Sequence, residues 1–104
     1  MLNLIIVLKP MIGKDYEDVK ALVFEDIIAH ILNPFGTLER QVKVPNRGDG
    51  RKGKIDLVLH TTEESIPIEI DRTTPRKKSI FKVSNYYSKN AYIIIKHPFN
   101  IIKV

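Results

Sequence analysis

Two short segments, in which apolar side chains fall at every second position, constrain the fold of this chain most. Residues 54–60 (KIDLVLH) place Ile55, Leu57 and Leu59 on one side, and residues 66–71 (IPIEID) place Ile66, Ile68 and Ile70 on one side. A period of two over this length is the mark of a half-buried strand. The polar stretch 61–65 between them is short enough to make the two strands antiparallel neighbours. Placing Leu57 opposite Ile68 keeps both apolar rows on one core, whereas a slip of one residue would turn a whole row to water. The same register sets Asp56 opposite Glu69, with Asp71 two positions further along the same polar face.

Carboxylates brought this close raise one another's proton affinity, so protons or a cation must sit among them. The chain has no cysteine, and an all-oxygen ligand set suits Mg²⁺ or Mn²⁺. Such an ion would polarise a phosphoryl oxygen and acidify a bound water. Lys and Arg total 17 against 12 Asp and Glu, a formal net charge of +5. The basic residues lie in two groups beside the acids: Arg40, Lys43, Arg47, Arg51, Lys52 and Lys54, then Arg72, Arg76, Lys77, Lys78 and Lys82. Basic flanks around a local acidic pocket suit a domain that meets a phosphodiester backbone, so DNA is the expected partner. No base-reading motif accompanies them, and contact through phosphates is expected.

The 104 residues are read as a single domain, 1–104, with no internal repeat. The apolar run 2–8 reads as a buried strand. It is too short to span a bilayer and lacks the features of a secretory leader, so no membrane association and a cytoplasmic, intracellular setting are expected. Residues 15–32 have helical length without internal Gly or Pro, with Val19, Leu22, Val23, Ile27 and Ile31 on one stripe and Phe24 and Ile28 on a second flank. Residues 38–44 alternate as a strand, and 45–53 (PNRGDGRKG) form a basic glycine-rich loop. Thr74-Pro75 reads as the start of a helix reaching about Tyr87, with Ile80, Val83 and Tyr87 on its apolar side. The segment 91–96 (AYIIIK) is apolar throughout, as a central strand would be, and 101–104 adds a short edge strand. The fold class expected is α/β, in the order β-α-β-β-β-α-β.

The stretch Phe24-Glu25, Gln41-Val42-Lys43-Val44-Pro45, Gly53-Lys54-Ile55-Asp56-Leu57-Val58 and Pro67-Ile68-Glu69-Ile70-Asp71 resembles the PD-(D/E)XK, or restriction endonuclease-like, nucleases. The look is closest to small Holliday junction resolvase-like and phage enzymes, over about residues 16 to 96. The resemblance implies a mixed central sheet flanked by two α-helices, and a Mg²⁺-dependent endodeoxyribonuclease acting as a homodimer, with branched DNA as a possible substrate. It assigns Asp56 and Glu69 as metal ligands and Glu25 as the helix acid, with Asp26 a rival for that place on the helical wheel. Where the family carries a lysine, this chain has Asp71. That residue is then an extra ligand, or a nearby cation (Arg72, Lys77 or Lys78) substitutes for the lysine, or the site no longer cuts. Two other functions stay open: a non-catalytic DNA-binding module with a degenerate site, and a small accessory domain that meets an acidic protein.

Overall fold

In the computed structural model, which describes residues 2–44, 53–86 and 90–104, the two alternating segments lie inside one five-stranded sheet. Strands β1 (Thr37–Val44), β2 (Gly53–His60) and β3 (Ser65–Asp71) form an antiparallel meander. Strand β4 (Tyr92–Lys96) is parallel to β3, and β5 (Phe99–Lys103) is antiparallel to β4, so spatial order follows chain order. A parallel step needs a crossover, supplied by helix α3 (Lys77–Ser84). Ahead of the sheet come α1 (Leu4–Val7) and α2 (Ala21–Leu32), each followed by a 3₁₀ turn.

The hairpin register is the one the apolar pattern requires, with Leu57 opposite Ile68 and Leu59 opposite Ile66. The all-apolar β4 is explained by cover on both faces: Tyr92 and Ile94 join the core under α1 and α2, while Ile93 and Ile95 pack with Val83 of α3. The fold is therefore an α/β sandwich with a mixed sheet between helices. Among the described residues no helix is long and apolar enough to cross a membrane.

Three expectations are corrected. Residues 2–8 are not a strand: Asn3 Oδ1 accepts the Ile5 amide hydrogen at 2.9 Å and caps a short helix, which buries Leu4 and Leu8 one turn apart and leaves Ile6 outside. The second helix starts at Ala21, not near 15, because Asp15 is engaged with the Glu17 amide and with His97, and Lys20 is extended (φ −61, ψ 148). Its inward face is Phe24, Glu25, Ile28, Ala29 and Leu32, whereas Leu22 and Val23, expected on the apolar stripe, are exposed. The third helix is capped by Arg76 rather than Thr74 and buries Ser79 and Val83, with Ile80 largely outside. The expected loop at 45–53 falls outside the described residues except for Gly53, and so does Tyr87.

Candidate functional site

The site is built where β2 and β3 part. Their pairing runs from His60–Ser65 to Leu57–Ile68; one step further, side chains replace the main-chain rungs. The Asp56 amide donates to Glu69 Oε2 at 3.2 Å, and the Ile70 amide donates to Asp56 Oδ2 at 2.8 Å. Backbone donors that lose their ladder partners must find others, and here each carboxylate satisfies the opposite strand. On the other side of β2, Gln41 lies between the Arg40–Leu57 and Val42–Ile55 pairs in the left-handed region, at φ 53. That backbone costs a non-glycine residue roughly 1–2 kcal/mol, and such strain gathers at sites where structure is fixed for use. Gln41 Nε2 and Arg40 Nη1 each donate to Glu25, both at 3.4 Å.

Glu25, Asp56 and Glu69 form a row with Asp56 in the middle. Burial raises the Glu69 pKa to about 8, with the Asp56 carboxylate adding to the effect and the Lys82 ammonium opposing it. Burial, then the Asp56 charge, also pushes Glu25 upward against the pull of Arg40. Lys82 Nζ contacts Glu69 Oε1 and donates to the Lys54 carbonyl oxygen at 2.9 Å. It reaches back to the hairpin from the crossover helix. Carboxylate oxygens are the donors that a hard divalent ion takes, and Asp56 and Glu69 bring theirs together where the two strands part. Glu25 is the buried helix acid, while Asp26 is exposed and bonds Arg40. The three carboxylates do not close on a single point, however. Among the described residues the set of potential ligands with atoms within 4.8 Å of one another is Asp15, Glu17 and His97, at another place. There His97 Nδ1 is 2.6 Å from Asp15 Oδ1 and Nε2 is 3.2 Å from Glu17 Oε2, a clasp between the segment before α2 and the β4–β5 turn.

Asp71 does not join the row. Its carboxylate is buried and accepts from the Arg76 amide (2.9 Å), Arg76 Nε (2.7 Å) and Ser79 Oγ (2.8 Å). These bonds tie it to the start of α3. The cation nearest Glu69 is Lys82, and none of the three suggested by sequence takes that place: Arg72 pairs with Glu17, and Lys77 and Lys78 are exposed. Lys82 was expected among DNA contacts, yet its side chain is 11% exposed and turned inward. Its spacing from Glu69 gives no local clue, because a crossover separates them. Lys43 and Lys54 are exposed on β1 and β2, and Arg76 is tied to Asp71. Arg47, Arg51 and Lys52 lie outside the described residues.

The chain matches no family model, and no curated protein or solved structure is significantly similar to it.

Proposed function

We propose that this domain is a metal-dependent DNA endonuclease of restriction endonuclease-like type, with Asp56 and Glu69 holding Mg²⁺ or Mn²⁺ and Glu25 orienting a water beside them. The observation that carries the reading is the pair Asp56 and Glu69, exchanged across parted strands and flanked by a buried helix acid and a buried lysine. Lys82, in contact with Glu69, would take the part of the family's lysine, whose position holds Asp71. The bound ion would supply Lewis acidity at the phosphoryl oxygen. The chain's own part is to hold the ion, keep Lys82 in contact with Glu69, and meet the strand with exposed cations. A homodimer would suit cutting of both strands.

The test is incubation with branched, nicked and linear DNA in Mg²⁺ or Mn²⁺. Product that disappears in Asp56→Asn and Glu69→Gln supports the enzyme. A second reading, a DNA-binding module without cleavage, is favoured by the contact of Lys82 with Glu69 Oε1, which occupies one oxygen of the proposed metal pair. Salt-sensitive DNA retention with no product in either metal selects that reading.

A further inference from the structure

A second polar concavity lies at the carboxyl ends of the parallel pair β3 and β4, one residue beyond the point where Ile70 donates to Asp56. It is a cleft of about 390 Å³ bordered by Ala21, Arg72, Thr73, Thr74, Arg76 and Lys96. In α/β sheets the crevice outside the carboxyl ends of parallel strands is a common ligand position. Lys96 and Arg76 face it beside Arg72, which is paired with Glu17, and the carboxylate of Asp71 is already taken up by Arg76 and Ser79. Those bonds fix the Arg76 guanidinium, whose fork keeps further donors for an anion. Among the described residues the Lys96 ammonium and the hydroxyls of Thr73 and Thr74 make no hydrogen bond or ion pair. At the cleft edge α2 begins with no side-chain cap, leaving its first amides available to negative charge.

We infer that this cleft binds a terminal phosphoryl group of a nucleic acid strand, held by Lys96, Arg76 and the two threonine hydroxyls. A terminal phosphate carries more charge than an internal phosphodiester, which suits the two cations Lys96 and Arg76 converging on one group. Asp71 is then a positioning residue for Arg76. The strand as source of the phosphate rests on the nuclease reading; the phosphate chemistry does not.

The experiment measures binding of labelled oligonucleotides by fluorescence anisotropy in EDTA, with phosphate or hydroxyl at the 5′ end and, separately, at the 3′ end. A terminal phosphate at one end is expected to tighten binding about tenfold, the worth of one charge-assisted hydrogen bond. Lys96→Gln and, independently, Thr74→Val should each erode that preference while circular dichroism stays unchanged. Equal affinity for phosphate and hydroxyl ends in the wild type overturns the inference. A mononucleotide that binds as tightly as the phosphorylated strand keeps the phosphoryl chemistry but overturns the strand as its source. Because no metal is present, failure here leaves cleavage untouched, and failure to cleave leaves this binding intact.

Discussion

Glu69 is the residue whose chemistry is most altered by its surroundings. Its carboxyl is held at about 8 against an ordinary 4.5, by burial and by Asp56. Between those values the folded chain retains a proton that the unfolded chain has lost, so its contribution to stability is greatest at acid pH and declines as pH rises towards 8. Urea denaturation at pH 5, 6.5 and 8 should show that decline, and Glu69→Gln should flatten it. Lys82→Met removes the opposing cation and should steepen it; a pH profile indistinguishable from wild type would show that Lys82 does not act on Glu69. In the cleavage assay the same substitution is expected to cost about 10–100-fold, the usual effect of groups that support a metal ligand, with partial recovery in Lys82→Arg. Asp71 behaves differently. Asp71→Ala strands Ser79 Oγ and part of Arg76, which should lower stability by about 1–3 kcal/mol in denaturant titration, whereas calorimetric Mn²⁺ affinity stays near wild type.

The elements differ in how far their own residues announce them. The β2–β3 register is legible because a period of two admits one pairing, and the apolar pattern alone sets Asp56 against Glu69. The run 2–8 is not, since a short apolar stretch satisfies a helix turn and a buried strand alike; the Asn3 cap decides it. In α2 the sequence offers two apolar stripes, and the sheet takes the one that carries Glu25 inward. The Lys82 contact was illegible because it depends on where the crossover sets α3. Two local demands fall at β1 and the residue just before it. A Cβ at Gly36 would fall onto the His60 carbonyl oxygen, so Gly36→Ala should destabilise by about 1–3 kcal/mol, as overpacking against backbone does. Gln41→Val, β-branched at φ 53, should cost about 1–3 kcal/mol, while Gln41→Gly relieves the backbone and loses only the long bond to Glu25. Thermal melts of the three variants would rank them.

For the whole molecule, an excess of five positive charges and lysines left exposed beside the hairpin make polyanion binding a matter of counterion release. Retention of duplex DNA should fall with salt at a logarithmic slope of about −0.9 per phosphate neutralised, and a flat salt titration would point instead to a protein partner. Parts of the chain far apart in sequence meet in the fold. Asn90 Nδ2 donates to the Leu2 carbonyl oxygen at 2.8 Å, and Phe99 exchanges main-chain bonds with Gly13 and Lys14. The segment around residues 2–14 thus has its seat on the segment around residues 90–99. Until β4 docks on it, the β3 edge of the β1–β3 meander is bare, and unpaired strand edges are where partly folded chains stick together. A chain cut before Tyr92 is therefore expected to aggregate rather than to keep the hairpin, and light scattering of that truncation would check it.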